Sequence, residues 1–405
     1  MKVLVVDQYY YPEQFQVNDI CEQMVKDGHQ VTVLTGLPNY PTGIVPEEYK
    51  HGKKRDEWIN GVHVLRCFEI GRKKGALGMI MNYASFVISG AIKQFKLERD
   101  FDLVFIYETS PVTLAYPAVL YARRRKKPLF FYCCDIWPEC ARVMVHNDKS
   151  LLYKLIARIS RYLYRRSDIL AVQSEGFFDY FKTIHGIEER RLRYLPQFAS
   201  SEYMNADFTP VDNGVIDFVF LGNIGIAQDI GGLLRAVEFN RDLSGFHVHL
   251  VGGGSYLDEA KSICKQKGLE SLVTFYGRRP YEEMTSFYKL ADVCMATLQS
   301  DSLLNLTMPS KVQGYMAAGK PILAAVCGKS RDIIEQNKCG LCVTPGNSEE
   351  LAHAMREYIL HYDQYMQYGL NARKVFKENF TFEIFMKRLY SQIDDTVRIW
   401  REQSV

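Results

Sequence analysis

Short, uninterrupted apolar runs alternate along this chain with stretches whose apolar residues recur every three or four positions. In the first half the runs are VLVVD (3–7), VTVLTG (31–36), HVLRCF (63–68), DLVFIYE (102–108), PLFFYCCD (128–135) and DILAVQS (168–174). They do not alternate apolar with polar. That is the pattern of strands covered on both faces, so this half predicts a parallel sheet with helices on either side. Residues 195–214, LPQFASSEYMNADFTPVDNG, are polar, hold two prolines and lack periodicity, which reads as a linker. The pattern then restarts with IDFVFLG (216–222), FHVHLVGGG (246–254), VTFYG (273–277), DVCMATL (292–298), PILAAV (321–326) and GLCVTP (340–345). The expectation is two tandem Rossmann-like α/β domains, 1–196 and 197–380. A helical segment, 381–405, carries enough apolar spacing in FTFEIFMKRLYSQI to pack back on the first domain. Open sheets bind ligands at the carboxyl ends of their strands, which places the chemistry in an interdomain cleft.

Two helical stretches bear on location. GALGMIMNYASFVISGAI (75–92) carries no charge for 18 residues and follows RKK, which touches the length of a membrane span. Gly78, Asn82, Ser85 and Ser89 make a small or polar stripe at helical spacing, so a buried or surface amphipathic helix is expected instead. In DKSLLYKLIARISRYLYRRSD (148–168), Lys154, Arg158, Arg161 and Arg165 recur on one face, opposite Leu152, Ile156, Ile159 and Leu163. Such a stripe is either a solvated face or a surface for anionic lipids.

At 405 residues the chain exceeds what one core serves, and 47% apolar with 24% charged residues excludes a disordered or fibrous protein. The net charge of +3 is uneven: residues 1–200 hold 29 Lys and Arg against 22 Asp and Glu, and the remainder 21 against 25. The basic half suits an anionic substrate or surface, while the balance is too mild for nucleic acid. The ten cysteines sit mostly in apolar runs and read as core. Cys339 and Cys342 have metal or redox spacing without a second pair or histidine cluster. The opening MKVLVVDQYYYP is too short an apolar run for a signal peptide, so a reducing cytoplasm is expected.

The candidate chemistry starts at TMPSKVQGYMAAGKPILAA (307–325). A helix amino terminus already presents unpaired N–H groups and favours Asp or Glu, yet Lys311 stands there. One reading lets Lys311 point into water; the other supplies a missing anion. Glycine-rich turns follow three strands, LGNIG (221–225), VGGGS (251–255) and YGRRP (276–280), and none fits a dinucleotide fingerprint. Singly they are tight turns as readily as phosphate cradles. Together with Arg278, Arg279 and Lys311 they would converge at one sheet edge as a diphosphate site, with Ser310 capping the helix.

The run of GNIGIAQDIGGLLRAVEF, VGGGS, FYGRRPYEEMTSFYKLADVCMATL and PSKVQGYMAAGKPILAA resembles the retaining glycosyltransferases of family 4, which have the GT-B fold. DQYYYPEQFQVNDICEQMVKDGHQVTVLTGLPNYPTG resembles the opening of bacterial members that build capsule, O-antigen or exopolysaccharide. The resemblance implies that Gly222 and Asn223 lie beside the donor diphosphate and that Arg278 and Lys311 neutralise it, with Gly277 and Gln313 near the nucleotide or sugar. Gln228 falls where many members have a lysine, and the family's E-x7-E glutamates align with Leu306 and Gly314. The absent glutamates put sugar and ribose contacts in question and suggest a donor with fewer hydroxyls to read, such as a deoxy or N-acetylamino sugar, with a UDP-sugar favoured. In the first domain Glu13 and Asp135 would face the cleft; Asp135, in a D-x-W-P-E segment that similar enzymes share, either positions sugar or acceptor or caps the next turn.

No D-x-D pair ends a strand, and with Lys, Arg and a helix terminus on the leaving diphosphate no metal is expected. The resemblance implies transfer with retention from a nucleotide-sugar to a lipid-linked or saccharide acceptor, either free in the cytoplasm or peripheral on the membrane's inner face. Two other classes stay open. A GT-B nucleotide-sugar epimerase would carry cleft carboxylates and histidines, and a sugar-nucleotide-binding protein would bind without catalysis.

Overall fold

The computed structural model describes residues 1–405 except 74, 144, 146, 200, 201, 211, 301–307 and 405. The chain forms two compact units. Unit 1 comprises Met1–Gln173, Phe178–Leu195 and Met386–Val405, and unit 2 comprises Ser174–Phe177 and Pro196–Phe385.

Unit 1 is built on β1 (Lys2–Val6), β2 (Gln30–Thr35), β3 (Asp56–Ile59), β4 (Val62–Arg66), β5 (Leu103–Glu108), β6 (Leu129–Cys133), β7 (Ile169–Val172) and β8 (Leu192–Tyr194). Their order is β3-β4-β2-β1-β5-β6-β7-β8, all parallel except the β3–β4 pair. β5, β6 and β7 are buried along their whole length, as a sheet covered on both faces demands. β3 and β8 are edge strands that the apolar runs did not reveal: DEWI alternates exposed and half-buried positions, and LRY is three residues long.

Unit 2 has β9 (Ile216–Leu221), β10 (Phe246–Val251), β11 (Val273–Gly277), β12 (Val293–Thr297), β13 (Ile322–Ala325) and β14 (Gly340–Val343), all parallel in the order β11-β10-β9-β12-β13-β14. Both sheets are doubly wound. Each has a point where the strand order reverses, between β1 and β5 in unit 1 and between β9 and β12 in unit 2, and loops leaving such strands diverge to open a crevice.

Residues 195–214 are not a free linker. Tyr203 and Phe208 are buried against Tyr288, with ring centroids 5.0 and 5.5 Å away, so the segment is part of unit 2's core. The helix Phe382–Ser404 carries the chain back to unit 1 from Met386 onward, where Leu389 and Ile393 are buried. Tyr390 donates its hydroxyl to Asp27 at 2.6 Å, and Arg193 pairs with Asp395 at 3.1 Å.

The helix Ala76–Lys93 is turned inside out. Its polar stripe faces the protein: Asn82 is fully buried, Ser85 Oγ accepts the Ile70 N–H at 2.9 Å, and Ser89 Oγ donates to the Phe68 carbonyl at 2.6 Å. Leu77, Ile80, Met81, Ile88 and Ile92 face outward and exposed.

Candidate functional site

In unit 2 the turns after β9, β10 and β11 lie directly on one another. The Gly222 N–H donates to the Val251 carbonyl at 2.9 Å, and the Gly252 N–H donates to the Gly277 carbonyl at 2.9 Å. A Cβ at Gly252 would stand 1.7 Å from the Gly222 carbonyl oxygen, so only glycine lets the turns after β9 and β10 meet. Gly222 itself has φ of 133° and would bring a Cβ to 3.3 Å from Lys311 Nζ. Gln228 ties off the first loop, its Oε1 accepting the Gly225 N–H at 3.2 Å and Asn223 Nδ2 at 3.1 Å.

Lys311 lies in the first turn of the helix Ser310–Ala318, which follows β12. The expected serine cap is absent: Pro309, with φ −56° and ψ 131°, occupies the cap position and makes no side-chain cap hydrogen bond. Proline's fixed φ suits that extended geometry and shifts Ser310 one residue into the helix, where it is exposed. Lys311 does not point into water. Its Nζ lies 3.7 Å from the centroid of the Phe220 ring, is buried, and has no hydrogen-bond partner among the described residues. Burial pushes the ammonium down to about 7. A buried cation is ordinarily paired, and this one stands at a helix amino terminus with no partner among the described residues, a combination that attracts an anion.

Arg278 is exposed, with no hydrogen bond or ion pair among the described residues, and follows Gly277, whose φ of 69° makes the turn. Arg279 is committed instead to the Tyr276 carbonyl at 3.1 Å and to Glu283 at 3.7 Å. Gln313 does not face this site. It is buried and donates Nε2 to the Gln197 carbonyl at 2.8 Å, pinning the 195–214 segment. At Gly314 a Cβ would meet Tyr288 Oη at 2.5 Å, so the aromatic cluster leaves no room for a glutamate there; Leu306 lies outside the described residues.

Unit 1 has its own pocket at the carboxyl end of its sheet, about 350 Å³, lined by Tyr9, Phe15, Tyr40, Arg72, Met79, Tyr83, Thr109, Ser110, Asp135, Trp137 and Cys140. Asp135 follows β6 and hydrogen-bonds Ser110, which also accepts the Trp137 indole N–H at 3.0 Å. Burial raises the Asp135 carboxyl to about 6, within reach of proton exchange near neutrality. Glu13 is placed differently from the expectation: its Oε1 accepts the backbone N–H groups of Asn39 and Tyr40 at 2.7 and 2.5 Å, so it shapes the loop bearing Tyr40 and does not line the pocket. Beneath lies a buried polar cluster in which Glu69 accepts from Gln8 at 2.7 Å, Asn82 at 2.5 Å and Asn39 at 3.1 Å, and burial lifts its carboxyl to about 8.

Glu69 and Arg72 were not singled out in the sequence, because EIGR reads as an ordinary loop. Their polarity at the end of β4 is the signal that was there to find. On the helix Leu151–Tyr164 and at Arg165, which caps its end, all four expected cations are exposed, but Arg161 and Arg165 are hydrogen-bonded to the carbonyls of Ile184 and His185 at 2.9 and 2.7 Å. Lys154 and Arg158 have no such partner among the described residues.

Residues 206–375 match the family described as glycosyl transferases group 1, and residues 14–197 match the glycosyl transferase 4-like domain. The chain is 27% identical over 309 residues to the probable glycosyltransferase WbjE of Pseudomonas aeruginosa, covering 72% of this chain and 75% of that one. It is 23% identical to the putative colanic acid biosynthesis glycosyl transferase WcaI of Escherichia coli, covering 89% and 92%. Anabaena HepE, solved in complex with UDP, superposes with a TM-score of 0.72 at 15% identity, over 98% of this chain and 100% of that one. Two doubly wound units, matched in turn by the two glycosyltransferase domain families, identify the chain as a family 4 glycosyltransferase of GT-B fold.

Proposed function

We propose that the chain transfers a sugar from a nucleoside diphosphate sugar to a lipid-linked or saccharide acceptor, with retention of anomeric configuration. The observation that carries this reading is Lys311: a buried ammonium at a helix terminus, with no hydrogen-bond partner among the described residues, has its natural partner in a diphosphate. Arg278 supplies the second cation from solvent, and the Gly222–Asn223 turn admits the phosphates close to the backbone. HepE, whose fold this chain shares, was solved with UDP, which favours a UDP-sugar as the first donor to test. The closed Gly314 position is in keeping with a donor sugar that offers fewer hydroxyls, a deoxy or N-acetylamino sugar.

In the transfer, the bond from the anomeric carbon to the diphosphate oxygen breaks as the bond to the acceptor oxygen forms on the same face. The leaving diphosphate takes the acceptor's proton. Lys311 and Arg278 stabilise the charge that develops on that oxygen, so activity is expected to survive chelation of divalent cations. Asp135 positions the hydroxyl-bearing partner in the aromatic pocket, where faces such as Tyr83 and Tyr40 suit a sugar ring. Lys154 and Arg158 would add attraction to an anionic membrane surface on the cytoplasmic side.

The test is a thermal-shift screen with UDP, GDP, CDP and ADP and their sugars, on the wild type and on Lys311→Ala. One nucleotide raising the wild-type transition and not the variant's supports the site and fixes the donor class. Equal shifts in both proteins would remove Lys311 from it. Product formation with the stabilising donor separates a transferase from a binding protein, and interconversion of the donor without an acceptor would favour the epimerase.

A further inference from the structure

The helix Ala76–Lys93 violates the rule that an amphipathic helix buries its apolar face. Leu77, Ile80, Met81, Ile88 and Ile92 recur at helical spacing on its outer side, with exposures of 71, 48, 42, 62 and 62%, and Phe95 continues the stripe at 56%. Taken with the turn that follows, Ala76–Lys96, this is the one helix among the described residues long and apolar enough to cross a membrane, and 17% of its most apolar 18-residue window is buried. Crossing is excluded by its other side. Asn82 donates to Glu69 at 2.5 Å and to the Ile70 carbonyl at 2.7 Å, and lifting the helix out would strand that buried cluster.

The charges around the stripe decide what covers it. Between Glu69 and Glu98 the chain has no acidic residue, while Arg72, Lys73 and Lys74 precede the helix and Lys93 and Lys96 end it. Arg124 lies over the Phe95 ring at 4.4 Å. An apolar face bracketed at both ends by cations, with no anion of its own, matches a bilayer of anionic lipid, which offers acyl chains in the middle and phosphates at the margins. A protein partner or a second copy of this chain would have to supply both features itself.

The same helix carries Met79 and Tyr83 into the wall of the pocket that holds Asp135. We propose that Ala76–Lys93 lies in the surface of an anionic membrane with its apolar stripe among the acyl chains, and that the Asp135 pocket receives the head of an acceptor held in that membrane. Only the second clause rests on glycosyl transfer. Membrane docking stands apart from it and from the donor site.

The experiment uses the full chain with vesicles of neutral lipid and of neutral lipid mixed with phosphatidylglycerol. The wild type is expected to float with the anionic vesicles and to stay partly bound at ~0.5 M salt, where surface charge alone is screened. Ile80→Glu/Ile88→Glu should lower binding by on the order of ten-fold or more. Its thermal transition and its response to nucleotide should be unchanged, since both side chains face outward. In Ile88→Trp, lipids brominated along their acyl chains should quench the new fluorescence, which reports insertion without a destabilising change. Docking is overturned by wild-type binding that the double variant leaves intact, by absent quenching, or by a dimer that the double variant converts to monomer without any vesicle binding. Loss of the nucleotide response in the wild type would overturn the donor site and leave docking standing.

Discussion

Lys311 couples stability to proton uptake in an unusual direction. Its folded value lies near 7 against an ordinary value of 10.5, so between these the unfolded chain binds more protons and stability rises with pH; below about 7 the buried charge is a constant penalty. Lys311→Met is therefore expected to stabilise the unliganded protein at pH 6 by about 1–2 kcal/mol and to flatten this pH dependence in urea titrations. A bound diphosphate reverses the preference, because it holds the ammonium charged. Nucleotide affinity should fall as pH rises above 7 in the wild type and lose that trend in the variant. Asp135 gives the companion case. Its carboxyl is raised to about 6, so stability falls as pH climbs from the ordinary value of 3.8 through 6. Asp135→Asn should be more stable above pH 6 by about 1 kcal/mol while transfer drops at least ten-fold, a stability gained by surrendering function. Lys311 could be read from sequence because it opposes the helix dipole. Gln313 and Glu13 could not be placed, since a polar residue beside a site has no mark in sequence that separates ligand contact from holding the backbone.

At the scale of elements, the strands were legible wherever both faces are covered, as in LFFYC of β6, because burial on both sides leaves no polar position. β3 and β8 were not, since an edge strand keeps water on one side and needs no apolar run. For the helix Ala76–Lys93 the period was readable and the orientation was not: periodicity finds two stripes and assigns the apolar one to the interior by habit. The diphosphate site shows an element-level dependence that is testable. Gly222 links β9 to the Lys311 ammonium, with φ of 133° and only 3.3 Å to spare for a Cβ. Gly222→Ala is expected to cost about 1–3 kcal/mol and to displace Lys311 from the Phe220 ring. In thermal-shift titration the nucleotide response should weaken more than the fold does, whereas Gly268→Ala, another left-handed glycine with open space around it, should cost stability alone.

For the whole molecule, the return of the chain to unit 1 matters most. Met386, Leu389, Ile393 and Ile399 are buried there, and each aliphatic side chain of this size contributes about 1.5–3 kcal/mol, a large share of the ~5–15 kcal/mol by which a domain is stable. Removing residues 386–405 should leave unit 1 open to proteolysis while a fragment spanning unit 2 keeps its nucleotide-dependent transition. Mass spectrometry of the limited digest distinguishes that outcome from loss of both units. The same route of the chain sets an order of events on the ribosome. The sheet of unit 1 emerges first, yet it must wait without its closing helix until all of unit 2 has been translated, so the earlier half is the later to be finished. During that interval the surface awaiting Leu389 and Ile393 is open to chaperones, and slowing translation would lengthen the exposure.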